Sequence, residues 1–326
     1  MTPDRTSAWK QWLARHSWVG PLAALLVLYV VFAALAPDTF PTPGNLRTMV
    51  RQTAVVGIAA LGMTMVVILG GIDLSVGSVV ALTTIVIASL LQGGASPSLA
   101  LAGGVLAAAL TGLVNGVLIT SLRVMPFIVT LGAMGIIRGA AKGLAHEQKI
   151  DAPVTWLNGL VAELPPGSRW QLLPAGVWVM LILALAVGVL LRYTRFGRHI
   201  FAIGSNELTA RLCGVRVGAV KTLVYVLSAA LAGVAGIMQF SRLTVGDPTV
   251  ASGLELDVIA AVVIGGGTLS GGEGSVLGSL VGAMLMAEIK TGSTHLGLSN
   301  WVQEIITGVI IIVAVALDRL RHRAKE

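Results

Sequence analysis

Long apolar runs dominate the chain, and short stretches rich in glycine, proline and charge separate one run from the next. A transmembrane helix needs about 17 to 25 residues that are mostly apolar, and most of the runs approach or reach that length. The pattern predicts about ten transmembrane helices, at 19–36, 52–69, 76–91, 97–122, 125–144, 174–191, 219–240, 254–267, 275–288 and 301–317. The expected fold is an all-α polytopic membrane protein in which some helices are short or broken.

Composition points to the same class. Of the 326 residues, 55% are hydrophobic and 11% are charged, whereas an ordinary soluble domain carries about 25% charged residues. The net charge is +7, yet the basic residues lie in short segments between apolar runs and form no single stripe. We therefore read them as membrane-topology signals and expect no nucleic-acid partner.

The positive-inside rule sets the expected orientation. With both termini in the cytoplasm, Arg123, the basic segment 192–221 and the basic tail 318–326 all fall on the cytoplasmic side. The exceptions, which would lie outside, are Arg47, Arg51 and Arg242.

The predicted organisation has three parts. A cytoplasmic N-terminal segment, 1–18, precedes a single transmembrane domain, 19–317, and a cytoplasmic tail, 318–326, follows it. Within the domain we expect a cytoplasmic loop at 192–221 and an external loop at 145–173. The first apolar run resembles a cleavable signal peptide, but its length and the even number of spans favour an uncleaved first helix.

A first glycine-rich break, Gly70-Gly71-Ile72-Asp73-Leu74-Ser75-Val76-Gly77, interrupts an apolar stretch. A charge at the centre of a bilayer costs roughly 2.5 to 3.5 kcal/mol, so Asp73 needs a partner or an interfacial position. Asp73 is interpreted either as a cap on the helix that starts near Val76 or as a polar contact in a translocation path.

A second break begins with Gly265 and Gly266 and has a similar setting, with a Val/Ile/Leu run before it and Gly-Ser-Val within or after it. The two breaks are expected on the same side of the bilayer. Paired interruptions of this kind often flank a substrate path in transporters. Two tight turns between packed helices explain the pattern equally well.

The basic segment contains a predicted short helix that starts at Ser205 or Asn206 and stops at Gly214. Glu207 and Arg211 form an i,i+4 pair on one face, and an apolar face opposes it. Such a helix suits either a groove on a partner protein or the surface of an anionic membrane.

Sites for intrinsic chemistry are not found in the sequence. A Leu-Ser-Gly-Gly-Glu run at 269–273 mimics an ATPase signature, but no phosphate-binding Gly-x-x-x-x-Gly-Lys-Ser/Thr loop occurs. His146 and Glu147 begin a zinc-protease pattern that lacks its second histidine, because Ile150 stands there. We expect no enzymatic activity, no metal site and no cofactor bound by this chain, and the single cysteine, Cys213, excludes an intrachain disulfide.

Several motifs in order resemble ABC importer permeases of the ribose, xylose and arabinose type. The run from Gly204 to Val215 looks like the coupling segment of that family, apart from Thr209 and Cys213, where relatives often have Ala and Ser. The resemblance extends over about 45–317 and includes Leu61-Gly62-Met63-Thr64, the first glycine break, Asn115-Gly116, Pro126-Phe127-Ile128-Val129-Thr130-Leu131-Gly132, and Gly265-Gly266 with Gly278.

This resemblance implies a permease subunit in the bacterial inner membrane, multi-pass and embedded in lipid. It would form a dimeric pore with a second permease copy, identical or paralogous, and would receive a monosaccharide from a periplasmic or lipid-anchored sugar-binding protein. An ABC ATPase subunit, which carries ATP and Mg, would dock on the cytoplasmic coupling segment. The coupling residues would be Gly204, Asn206, Glu207, Leu208, Ala210, Arg211, Leu212 and Gly214.

A sugar path should be polar without strong charge. The candidates to line it are Asp73, Asn115, Thr130, Ser228 and Gln239, and each could equally make a helix–helix hydrogen bond. Other polar residues are expected to snorkel to the interface, namely Arg138 and Lys142, or to snorkel or contact the binding protein, namely Glu288 and Lys290.

Two other functions remain open at this point. A proton-coupled secondary transporter of a small polar solute would need an embedded carboxylate or histidine relay, for which Asp73 is the one plausible member. A scaffolding membrane subunit would have no cavity.

Overall fold

A computed structural model describes residues 19–163 and 172–323, with side chains up to 316. The N-terminal segment, residues 164–171 of the predicted external loop and the side chains of the basic tail lie outside the described residues. The described helices are α1 Val19–Leu35, α2 Pro43–Ile68, α3 Val76–Gln92, α4 Pro97–Leu122, α5 Pro126–Leu144, α6 Ala175–Tyr193, α7 Arg195–Ser205, α8 Glu207–Leu212, α9 Val217–Leu243, α10 Leu254–Ile264, α11 Val276–His295 and α12 Asn300–Arg323. Two short antiparallel strands, β1 Ile150–Asp151 and β2 Val245–Gly246, pair with each other.

Helix α2 is the centre of the bundle. It packs against α9, α10, α11, α6 and the end of α7, and nearly all of its side chains from Thr53 to Ile68 are buried. Glycines permit close approach on two sides, because Gly57 faces Met180 of α6 and Gly62 faces Ser228 of α9. The core of the protein therefore lies around one continuous helix.

Helix α2 begins nine residues before its predicted start. Thr42 accepts a hydrogen bond from the Asn45 amide at 3.2 Å, and Pro43 occupies the first turn, where its missing N–H costs nothing. The sequence prediction started at residue 52 because it took the polar residues before it, including Arg47 and Arg51, as part of a loop. The Thr42 cap therefore determines where α2 begins.

The periphery consists of α4, α5, α6 and α12, which expose apolar side chains such as Ile136, Leu185 and Ile312. By length and composition, α2, α4, α5, α6 and α9 are the five helices in the described ranges that could cross a membrane, and α1, α3 and Asn300–Ala316 are shorter apolar helices. Together these features indicate an all-α membrane protein. A helix lies at each of the ten predicted segments, while the number of crossings and the sides of the termini stay predictions.

Two ends of the bundle are distinguished below. The coupling end carries α7 and α8, and α2 reaches it at Ile68. The far end carries the start of α2 at Pro43, the end of α11 at His295 and the β1–β2 pair. Helices α3 and α10 are short because each adjoins a glycine break at the coupling end. One break precedes α3, and the other follows α10.

Candidate functional site

The basic segment folds as two helices, where the sequence predicted one. Helix α7 starts at a cap in which the Thr194 hydroxyl accepts the Gly197 amide at 3.0 Å. It buries Ile200 and Ile203 against the bundle and leaves Arg198 exposed. This additional helix is amphipathic. Sequence reasoning missed it because Gly197 and Gly204 interrupt its apolar pattern.

Helix α8 starts and ends at the predicted signals. The Asn206 side chain accepts the Thr209 amide at 2.9 Å. At the other end Gly214 has φ +83°, its amide donates to the Arg211 carbonyl at 3.0 Å, and the Val215 amide donates to the Ala210 carbonyl at 3.1 Å. This pair of bonds is a Schellman motif, so α8 is closed at both ends.

The two faces of α8 differ in chemistry. Glu207 pairs with Arg211 at 2.9 Å and with Lys221 of α9 at 2.6 Å. The hydrogen bond from Lys221 is the main reason why the pKa of Glu207 lies below its ordinary value. Leu208 and Leu212 are 69% and 81% exposed. Helix α8 is thus anchored to α9 by charge and presents apolar side chains outwards.

The two glycine breaks and the coupling segment meet at one point, which we call the glycine junction: Gly204, Ile68, Gly70, Gly271 and Gly272. The Gly272 amide donates to the Ile68 carbonyl at 2.8 Å. A Cβ on Gly204 would overlap that carbonyl and lie 2.6 Å from the Gly272 nitrogen. A Cβ on Gly271 would lie 2.7 Å from the Gly204 oxygen and 3.0 Å from the Gly70 Cα. The contact between three segments is therefore backbone against backbone.

The remaining break glycines extend this arrangement. Gly71 lies beside the buried hydroxyl of Tyr225, and Gly265 lies against the backbone of Gly278. Gly70, Gly266, Gly271 and Gly272 all have φ between +80° and +90°, a region that residues with a side chain rarely occupy. At Gly271 glycine is required by both conformation and close packing.

Three predicted path residues hold the first break in place. One Asp73 carboxylate oxygen accepts the Ser75 amide at 2.9 Å and the Ser75 hydroxyl at 2.6 Å. Asn115 of α4 donates to that hydroxyl at 3.1 Å, and Thr130 of α5 donates to the Ile72 carbonyl at 3.1 Å. Asp73 closes a turn before α3, and the expected cap on the first turn of α3 is not formed. The residue at the cap position is Ser75, whose hydroxyl donates to Asp73.

The other two path candidates lie elsewhere. Ser228 is buried under Gly62, and its hydroxyl has no hydrogen-bond partner among the described residues. Gln239 is buried near the far end of α9, where it lines a cavity. The five predicted path residues therefore do not form one site.

Sequence reasoning missed a polar region at the far end. Arg138 does not snorkel, because it donates to the carbonyls of Pro248 and Val250 at 3.0 and 2.7 Å. Lys290 pairs with the buried Asp257. Glu288 is fully buried, and neither of its carboxylate oxygens has a partner in the described part of the chain. The sequence signal for this region was the presence of charged residues inside apolar runs. The sequence analysis instead placed these residues at the membrane–water interface.

The arrangement of helices and breaks can now be compared with known proteins. A family model described as the permease component of a branched-chain amino acid transport system matches residues 45–315, from the first turn of α2 into α12. The chain belongs to this permease family. The match includes α7, α8 and both glycine breaks.

Individual relatives of the permease match along almost its whole length. It is similar to the ribose import permease protein of Escherichia coli K12, with 40% identity over 96% of each chain. The ribose import permease protein of Bacillus subtilis is 38% identical over 92% of each chain. The L-arabinose ABC transporter permease protein of Azospirillum brasilense is 35% identical over 94% of this chain and 89% of its own. These relatives are named as transporter subunits and not as enzymes.

Proposed function

We propose that this permease is the transmembrane subunit of an ABC importer that carries a monosaccharide across the bacterial inner membrane. The observation that carries the proposal is the end-to-end identity of 40% with a ribose import permease. Matches to a ribose permease of a second bacterium and to an arabinose permease support the same solute class. ATP and Mg would be held by a partner ATPase subunit and not by this chain.

Helix α8 is the proposed docking element for that ATPase. Its exposed Leu208 and Leu212 would lose contact with water in a groove of the partner. Its caps and the bonds of Glu207 to Arg211 and Lys221 keep it rigid against α9. In this orientation the coupling end faces the cytoplasm, in agreement with the basic side chains of α7 and α8.

The glycine junction is the proposed route by which docking reaches the membrane helices. A displacement of α8 moves Gly204 at the end of α7, and Gly204 touches both Ile68 at the end of α2 and Gly272 after α10. Because backbone atoms are in contact, no flexible side chain absorbs the movement. Closure of an ATPase pair would thereby bias the bundle towards one of two states.

Further partners complete the proposed complex. A periplasmic or lipid-anchored sugar-binding protein would deliver the solute at the far end. A second permease copy, identical or paralogous, would form the other half of the pore, and the apolar faces of α4, α5, α6 and α12 are available to it or to lipid.

A branched-chain amino acid is the second candidate solute, because the family description names that substrate class. An amino acid of this kind needs an apolar pocket for its side chain. Of two cavities at the far end, the larger is lined by polar residues such as Asn45, Thr48 and Gln52, and the smaller has a mixed lining that includes Val55 and Leu254. The polar lining of the larger cavity favours a polyhydroxylated solute.

The test is ATPase activity of the permease reconstituted with its ATPase and binding protein, measured with pentoses, hexoses and branched-chain amino acids. Leu208→Arg combined with Leu212→Arg should abolish capture of the ATPase and sugar-stimulated hydrolysis. Met125→Arg, at a 72% exposed residue of the coupling end but outside the coupling segment, is the control. Unchanged capture of the ATPase and unchanged stimulation in the double variant would refute docking by α8.

A further inference from the structure

Two adjoining cavities open at the far end, between α2, α9, α10 and α11. The first encloses about 350 Å³ between the start of α2 and the end of α11, and all eight side chains that line it are polar, among them Asn45, Thr48 and Thr291. Such a lining is unusual in a chain whose residues are 55% hydrophobic. It indicates a space built for a solute with many hydrogen-bonding groups.

The second cavity continues the first into the bundle. It encloses about 180 Å³, shares Gln52 and Lys290 with the first, and extends past Val55 and Val56 to Gln239. From Asn45 to Val56 helix α2 rises about 16 Å at 1.5 Å per residue. The two cavities thus form one cleft, which we call the far-end cleft. It has a polar lining at the surface and a mixed polar and apolar lining further into the bundle.

An ion pair lies where the two cavities join. Lys290 pairs with Asp257, whose side chain is 4% exposed, while that of Lys290 is 43% exposed. The Gln52 side-chain oxygen accepts a hydrogen bond from the Thr291 hydroxyl at 3.3 Å. The side-chain N–H groups of Gln52 have no hydrogen-bond partner among the described residues. An ammonium, an amide N–H pair and a carboxylate in one place can donate to and accept from neighbouring hydroxyls.

Charge and volume both bear on the occupant. The positive charge of Lys290 is offset by Asp257, while Arg242 adds a second cation to the lining of the inner cavity. Ligand cavities commonly have volumes of about 300 to 1,000 Å³, and the two cavities, of about 350 and 180 Å³, together lie within that range. A small solute with several hydroxyls fits this space, because its oxygens can accept hydrogen bonds from the ammonium and the guanidinium and its hydroxyls can donate to the carboxylate.

We propose that a monosaccharide binds in the far-end cleft, with Gln52, Lys290 and Asp257 as its hydrogen-bonding partners. This inference rests on the proposed function and adds to it the place where the permease first receives the sugar. Gln239, Arg242 and Ser252 are further polar groups that line the second cavity.

The cysteine content of the chain makes a direct binding test available. Cys213 is the single cysteine and lies at the coupling end, after α8. In a Gln52→Cys variant, a membrane-impermeant thiol reagent added from outside to right-side-out vesicles should label residue 52. Excess ribose or arabinose should slow that labelling, whereas labelling of a Val154→Cys control, at a residue outside the cleft, should not change.

Transport supplies the second readout. Gln52→Leu removes the amide while keeping a similar volume, and uptake in the reconstituted complex should fall about tenfold, the effect of losing one good hydrogen bond. ATP hydrolysis stimulated by the loaded binding protein should persist. Gln303→Leu, on α12 outside the cleft, should transport as the wild type does.

The outcomes separate this inference from the proposed function. If the wild type imports a sugar, but sugar does not protect Gln52→Cys and Gln52→Leu transports normally, the cleft is not the sugar site and the importer assignment stands. If the wild type imports no sugar, the proposed function fails and the inference fails with it. Protection by leucine or valine in place of sugars would overturn the assignment of the solute.

Discussion

The two ends of the bundle differ in the groups that meet there. At the coupling end three chain segments touch through glycine backbones, with Gly204 seated between Ile68 and Gly272. At the far end polar side chains line open space, with an ion pair between Asp257 and Lys290. A contact between backbone atoms can transmit a displacement, because no flexible side chain lies between the segments. A cleft lined by side chains can discriminate between solutes through its hydrogen bonds. Under the proposed function, coupling and recognition would occupy opposite ends of the same central helix, α2.

The largest expected effect comes from a single methyl group at the glycine junction. Gly204→Ala would place a Cβ against the Ile68 carbonyl, and overpacking of this kind costs about 1 to 3 kcal/mol. We expect uptake to be lost while the permease still assembles with its ATPase. Transport and sugar-stimulated hydrolysis are measured in the same preparation.

Gly188→Ala of α6 is the matched control, because a Cβ there meets open space. In a helix interior the change from glycine to alanine should be neutral or stabilising by about 0.5 to 1 kcal/mol. Equal behaviour of the two variants would show that the backbone contact at Gly204 carries no coupling.

An intermediate effect is expected from breaking the ion pair of the far-end cleft. Lys290→Met leaves the buried Asp257 without its cation, which would cost about 3 to 5 kcal/mol for a fully buried pair. Lys290 is 43% exposed, so we expect about 1 to 2 kcal/mol, read as a lower melting temperature of the purified permease.

Rescue distinguishes this effect from general damage. Adding Asp257→Asn to Lys290→Met removes the unpaired charge and should restore much of the lost stability. Lys142→Met, at an exposed residue of α5, should leave the melting temperature unchanged. A double variant as unstable as the single one would mean that packing, and not charge, explains the loss.

The smallest expected effect is a pH dependence of α8. The pKa of Glu207 is lowered in the folded protein, mainly by its hydrogen bond to Lys221. A lowered pKa means that the contact stabilises α8 above the ordinary value of 4.5 and is lost as pH falls through the folded value below it. Hydrogen exchange of the α8 amides, corrected for its intrinsic pH dependence, should show lower protection only at acid pH.

Glu207→Gln is the control for that measurement, since it removes the titrating group while keeping the shape. Its α8 amides should have lower protection at neutral pH and no further change on acidification. Wild-type protection that is constant above 4.5 and declines as the pH falls from 4.5 towards the lower folded value would agree with the lowered pKa. Protection lost above 4.5 would contradict it.

Local signals in the sequence predicted much of the coupling end. The caps Asn206 and Gly214 determine the ends of α8 through bonds within a few residues, so the sequence alone revealed that helix. The Thr42 cap was equally local, yet α2 was placed too short because polar residues in its first turns were taken as loop.

Features that depend on distant partners could not be read in the same way. Arg138 meets carbonyls more than a hundred residues away, and Asp257 meets Lys290 across two helices. The contact of Gly204 with both glycine breaks likewise exists only in the folded bundle. A single sequence identifies such residues as unusual in an apolar run but does not say what they contact.

The most direct test of the whole account is uptake of labelled pentoses and hexoses into proteoliposomes that contain the permease, its ATPase and its binding protein. The account predicts uptake that requires ATP and the loaded binding protein and that continues when a protonophore collapses the proton gradient. Uptake that continues without ATP and stops with the protonophore would contradict it and would indicate a proton-coupled secondary transporter.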